Sequence, residues 1–193
     1  MNRLLVCAIA LSVAGASIAV AQGGVALKGG VSYGNVSNRG VLPGNLQERT
    51  GFALGLAWGT GRNMLGLGVE ALYAQRGVTS SSGPDERKLD YLDVPVFVRA
   101  LFPTPGIAPY AFAGPQVSFE LRCRSGGAAC PDTDRPATTF AGVIGGGARL
   151  GAASAFTIEG RYVYGLTDLK LSTITSSESY KTRSFLILVG WTF

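Results

Sequence analysis

The reactive side chains of this sequence are few. It carries 17 Lys and Arg, 12 Asp and Glu, three cysteines and no histidine. Without histidine there is no Ser-His-acid triad and no imidazole to move a proton near neutral pH. A pair of carboxylates can serve glycoside hydrolysis, but the acids that share a strand face here share it with as many bases, which favours ion pairing. The run Gly142-Val143-Ile144-Gly145-Gly146-Gly147 is as glycine-rich as a nucleotide loop, yet it lacks the lysine and the helix that a P-loop needs. It reads better as small residues of a strand. Cys123 and Cys130, in Cys-Arg-Ser-Gly-Gly-Ala-Ala-Cys, have two options. A four-ligand zinc site would have to recruit carboxylates, whereas an oxidising compartment would let the two thiols pair. Gly126 and Gly127 supply the flexibility that so short a covalent loop requires. A disulfide is therefore expected. No catalytic, metal or cofactor set emerges, and the expectation is a protein that is not an enzyme and needs no cofactor.

The compartment follows from the first 21 residues. Arg3 supplies a positive start, an apolar stretch runs from Leu4 to about Ala21, and Ala19-Val20-Ala21 is the small-x-small pattern that a signal peptidase accepts. A membrane anchor is the rival reading, but the polar, Gly-rich sequence that follows favours cleavage. Cys7 lies too early in the stretch to be a lipid attachment site. The expected organisation is a signal peptide at residues 1–21 and one domain at 22–193. Removing the signal takes one basic residue from a net charge of +5. The remaining excess suits anionic headgroups. It is too diffuse for nucleic acid, since no stretch clusters Lys and Arg with aromatics.

The elements that must position these side chains are strands. No second apolar run is long enough for a spanning helix, and a chain without helices can satisfy its backbone inside a bilayer only as a closed barrel. Eight strands of spanning length are expected, at residues 25–36, 50–59, 63–76, 88–102, 107–122, 138–151, 155–168 and 182–193. Their connections alternate. Three are tight: Thr60-Gly61-Arg62, Pro103-Thr104-Pro105-Gly106 and Ala152-Ala153-Ser154. Four are long and polar, at residues 37–49, 77–87, 123–137 and 169–181. Membrane barrels have short turns on the periplasmic side and longer loops outside.

Period-two alternation assigns the faces. Phe185, Ile187, Val189, Trp191 and Phe193 share one face of the last strand. Phe52, Leu54, Leu56 and Trp58 share one face of the second, against small residues on the other. Sending the apolar face to lipid turns eight charges into the lumen: Lys28, Arg99, Arg149 and Arg161 against Glu70, Asp93, Glu120 and Glu159. An isolated charge in so narrow a space is costly, and an eight-stranded barrel is just wide enough for side chains to fill. The expectation is a charge-balanced, closed lumen in which Arg99, Arg149 and Arg161 pair with these acids, and in which the many glycines give the long side chains room. Aromatics fall near strand ends, among them Trp58, Phe102 and Trp191 by the short turns and Tyr33, Tyr73 and Tyr164 by the long connections, as in interfacial girdles. Pro95 inside a strand cannot donate a ladder bond, so it is read as a shape element.

Three segments carry a family resemblance. Tyr91-Leu92-Asp93-Val94-Pro95-Val96-Phe97-Val98-Arg99 resembles the fourth-strand motif of the outer-membrane β-barrel domain family, which includes PorT-like proteins and the small eight-stranded OmpX- and OmpA-like barrels. Pro109-Tyr110-Ala111-Phe112-Ala113-Gly114-Pro115 is similar to the strand that follows, and Arg161–Asp168 to the penultimate one. Trp191-Thr192-Phe193 resembles the C-terminal signal read by the barrel-insertion machinery. The resemblance covers essentially the whole mature chain and implies an all-β, eight-stranded antiparallel up-and-down barrel. It implies no settled activity. The expected role is structural or surface-interacting in the bacterial outer membrane, as a monomer among membrane lipid and lipopolysaccharide, with an unknown envelope or surface protein as a further partner. A narrow pore, a ligand-transport barrel and a secretion accessory are the alternatives.

Overall fold

The structure is a computed structural model. It describes residues 24–36, 46–62, 64–80, 86–102, 104–125, 128–129, 138–150, 155–167 and 182–193. The expected signal peptide, residues 1–21, lies outside these.

Nine strands form among the described residues: β1 Val25–Val36, β2 Leu46–Arg62, β3 Leu65–Ser80, β4 Glu86–Leu101, β5 Ile107–Ser125, β6 Ala128–Ala129, β7 Thr138–Leu150, β8 Ala155–Gly165 and β9 Thr182–Thr192. Eight make the wall in the order β4-β3-β2-β1-β9-β8-β7-β5, and pairing of β4 with β5 closes it. The two residues of β6 only extend β5 at one end. Every pairing is antiparallel and joins sequence neighbours or the first and last strands. Closure removes the sheet edges, so no row of backbone N–H and C=O groups is left facing lipid.

The wall is inside out compared with a water-soluble barrel. Leu54, Leu56, Leu67, Val98, Ile144 and Val189 point outward and stay exposed, Leu67 by 57%. Residues one step along are buried, as in Leu186 and Leu188 between Phe185, Ile187 and Val189 on β9. Water would make such an exterior insoluble, while hydrocarbon solvates it. Trp58, Phe102 and Trp191 mark the short-connection rim of the apolar band, and Phe119 stands toward the long-connection rim.

The strands differ in length from the expected ones on one side of the barrel. β2, β3, β4 and β5 run 16 to 19 residues, while β1, β7, β8 and β9 run 11 to 13. About 9–11 residues suffice to cross a bilayer. The surplus lies at the long-connection end, where pairing continues to Thr79↔Glu86 and Arg87↔Ser125. Much of what alternation alone assigns to the connections around residues 46–49 and 77–87 is therefore ladder, because backbone pairing with a neighbour continues after the apolar pattern stops.

Three irregularities shape the wall, the first a one-residue shift of the β2–β3 register between Glu48 and Ala53. The β4–β5 register shifts between Asp90 and Tyr91, leaving Leu121 as the extra residue. Bulges of this kind bend and twist a strand locally. At Pro95, buried and facing inward, the β3–β4 pairing skips from Val69↔Val96 to Leu72↔Asp93 without a register change. The ladder is interrupted where proline has no donor to offer.

Candidate functional site

The lumen is the candidate site, because that is where the charged and polar side chains gather. It holds an ionic ring, an apolar cluster and a polar group toward the long connections.

Nearest the short connections is the ionic ring. Lys28 on β1 places its Nζ 2.6 Å from Glu70 Oε1 on β3 and 2.7 Å from Glu159 Oε2 on β8. Arg161, also on β8, donates from Nε to Glu159 Oε1 at 2.8 Å and brings Nη2 against the same oxygen. The same Nη2 lies 2.7 Å from Glu70 Oε2, an ion pair outside hydrogen-bond geometry. Tyr110 on β5 donates its hydroxyl to Glu159 Oε2 at 2.9 Å. Two cations and two carboxylates thus close a cycle across the bore, and each carboxylate oxygen faces a cation. The four side chains are 1–9% exposed. Desolvating ions is expensive, and only such multiple pairing offsets it.

An apolar cluster packs beside this ring and beyond it, since Phe97 lines the same mouth cavity as Glu70 and Glu159. Leu72, Leu186, Leu188, Phe97, Phe112, Val143 and Val163 are buried together. The Phe97 and Phe112 rings stand 4.8 Å apart and tilted, an arrangement aromatic pairs favour, and the Arg161 guanidinium lies 5.3 Å from the centre of the Phe112 ring. The inward glycines of β7 serve these rings. A Cβ on Gly145 would strike Phe112, and one on Gly147 would strike Tyr110. The expectation that the lumen glycines make room for long charged side chains holds at Gly190, where a Cβ would stand 3.1 Å from Lys28, and is corrected on β7, where they make room for aromatics.

The group toward the long connections is polar. Arg76 Nη2 on β3 pairs with Asp93 Oδ2 on β4, and the Arg76 guanidinium lies 5.3 Å from the centre of the Tyr91 ring. Gln116 donates to Ser118 at 3.0 Å, and Ser32 donates to the Gln75 carbonyl. Arg76 is absent from the expected set of inward charges. Its signal was legible: it has the same parity on β3 as Glu70, Leu72 and Ala74, and only its place at the expected strand end hid it.

The expected charges do not all meet. Lys28, Glu70, Glu159 and Arg161 come together, and Asp93 finds Arg76. Among the described residues Arg99 and Arg149 make no ion pair, which corrects the expectation that both reach one of the named acids. Arg99 lies against Tyr110, 5.9 Å from its ring centre, and both arginines line the mouth at the short-connection end. Water reaches that mouth, so no partner is required. Glu120 is half-buried higher up, opposite Tyr91 and next to the extra residue of β5. The expected balance of four against four is corrected with it, since Arg76 adds a cation and the unpaired arginines concentrate positive charge at one end. Of the remaining named residues, Cys123 is buried on β5 and Cys130 lies outside the described residues. Trp191 and Phe193 point outward at the short-connection rim, Phe193 79% exposed. Among the described residues no group of three or more His, Cys, Asp or Glu could hold a metal.

An exterior fit only for lipid and a packed polar interior define a small membrane β-barrel. The model of the family described as "Outer membrane protein beta-barrel domain" matches residues 4–193, and the chain belongs to that family and to the bacterial outer membrane. It is similar in structure to the outer membrane enzyme PagL, at a TM-score of 0.55 and 15% identity, over 86% of this chain and 97% of that one. It is similar also to Neisserial surface protein A (0.54, 14%, 88% and 97%) and to the outer membrane protein AlkL (0.51, 14%, 92% and 93%). At such identities the likeness shows the fold alone. No curated protein matches the chain.

Proposed function

We propose that this protein is a non-enzymatic outer-membrane barrel with a structural or surface-interaction role, its lumen closed to steady conduction. The observation that carries this reading is the ionic ring and the apolar cluster that together fill the bore. A pore needs a continuous wet path, whereas Leu72, Leu186 and Leu188, each about 1% exposed, fill this one. The absence of histidine from the sequence and the engagement of Glu70 and Glu159 in ion pairs across the bore argue against acid–base chemistry.

In this reading the outward apolar face meets lipid and lipopolysaccharide, and the barrel works as a monomer. Trp191 and Phe193 are read by the insertion machinery during assembly. Cys123 and Cys130 form a disulfide that stiffens the β5–β7 connection. The four long connections meet an envelope or surface partner. Reconstitution into a planar bilayer tests the reading. The expected result is no steady current from a sample whose heat-modifiable gel mobility shows it to be folded. A large steady conductance would overturn it in favour of the narrow pore or transport barrel.

A further inference from the structure

We propose that the short-connection mouth of the barrel binds a small oxyanion of the phosphate class between Arg99 and Arg149, on the outer side of the ionic ring. Charge is distributed unevenly along the barrel. Of the twelve acids in the sequence, only Glu70 and Glu159 fall in the half next to the short connections. Asp93 and Glu120 stand toward the other end, and the remaining eight lie at the far ends of strands or within the long connections. None of the short connections, at residues 63–64, 102–106 and 151–154, contains an acid. The same half holds Lys28, Arg99, Arg149 and Arg161. Glu70 and Glu159 are consumed by Lys28 and Arg161 within the ring, so among the described residues the two arginines of the mouth remain uncompensated.

Geometry turns this excess into a site. Arg99, Arg149, Lys28, Tyr110 and Thr157 line one open cavity with room for only a few waters, about 60 Å³. Arg99 projects from β4 and Arg149 from β7, on the two sides of β5. The Arg99 guanidinium lies against the Tyr110 ring, which fixes its plane. The same guanidinium would be 3.5 Å from a Cβ on Gly59, so it extends over β2 rather than out into solvent. Lys28 Nζ carries three protons and gives two to the carboxylates. Guanidinium forks match the oxygens of phosphate bidentately, and apolar walls such as Phe97 and Leu101 focus the field on the anion. The ionic ring closes the inner end of this cavity, so the anion binds without passing through. By the side on which short turns lie, the mouth opens to the periplasm. Its phosphate would come from solution there or from a phospholipid headgroup of the inner leaflet.

The test uses ¹⁵N-labelled mature protein folded in maltoside micelles, with the Arg Nε–Hε signals followed while inorganic phosphate replaces chloride at constant ionic strength. Saturable shifts are expected at Arg99 and Arg149. Arg99→Gln and Arg149→Gln should each weaken binding about tenfold, the effect of losing one charge-assisted contact. The double variant should abolish saturation. Arg122→Gln, outward and at the other end, should leave it unchanged. All variants should keep heat-modifiable mobility, which separates loss of the site from loss of the fold. Shifts that never saturate, or a double variant that binds as tightly as the parent, would overturn the proposal. Nanodiscs of phosphatidylethanolamine with and without phosphatidylglycerol then distinguish the sources. Phosphate affinity that falls when phosphatidylglycerol is added marks a headgroup as the occupant, and unchanged affinity marks a soluble anion.

Discussion

The two ionic clusters in the lumen are built differently. In the lower ring every carboxylate oxygen faces a cation, and Glu159 alone is engaged by Lys28, Arg161 and Tyr110. In the upper cluster Arg76 and Asp93 touch through one atom each, and Arg76 Nε and Asp93 Oδ1 have no hydrogen-bond partner among the described residues. The lower ring ties together strands that are not neighbours in the wall, β1, β3 and β8. The upper pair joins β3 to β4, which the ladder already joins. A cycle across the bore should hold the barrel's cross-section, while a pair between adjacent strands adds to a contact that exists without it. The difference teaches that buried charges of similar exposure can carry unequal structural weight.

Breaking the ring should have the largest effect. Glu159→Gln leaves Lys28 and Arg161 with only Glu70 between them, and unfolding of the barrel in urea should show a loss of about 3–5 kcal/mol, the usual result of orphaning a buried charge. A loss below that of the upper pair would refute the ranking. Asp93→Asn should cost less, about 1–3 kcal/mol, because the Arg76 side chain keeps 10% of its surface exposed and its remaining contact with the Tyr91 ring survives. A double variant of Glu159 and Asp93 should be additive if the two clusters are independent through the apolar cluster. Non-additivity beyond about 0.5 kcal/mol would show that they act as one unit.

The smallest expected effect lies outside both clusters. Cys123→Ser should hardly move the urea midpoint of the barrel, because a short covalent loop removes little entropy from the unfolded chain. Mass mapping of protein purified without reductant should find Cys123 joined to Cys130. Two free thiols would remove the proposed bridge.

Alternation along each strand reveals which side chains face inward, because the period of a strand is two whatever its neighbours do. The alternation of short and long connections reveals antiparallel order and strand number. Phe52, Leu54, Leu56 and Trp58, or Phe185, Ile187 and Val189, leave no other face for lipid. Those features are local, and the sequence by itself determined them. Strand ends were less legible, since β2 to β5 continue by backbone pairing into polar residues that carry no apolar signal.

Which inward charges meet was decided only by the tertiary structure. Lys28, Glu70 and Glu159 come from strands far apart in the chain, and their heights in the bore depend on the stagger between strands that closure imposes. A periodic pattern fixes the face but contains no height. Arg149 and Arg161 share a parity assignment, yet one ends in a wet mouth and the other among carboxylates. The same stagger put Tyr110 and Phe112 opposite the glycines of β7. Side-chain direction is a property of the single strand, whereas contact across a lumen is a property of the closed barrel.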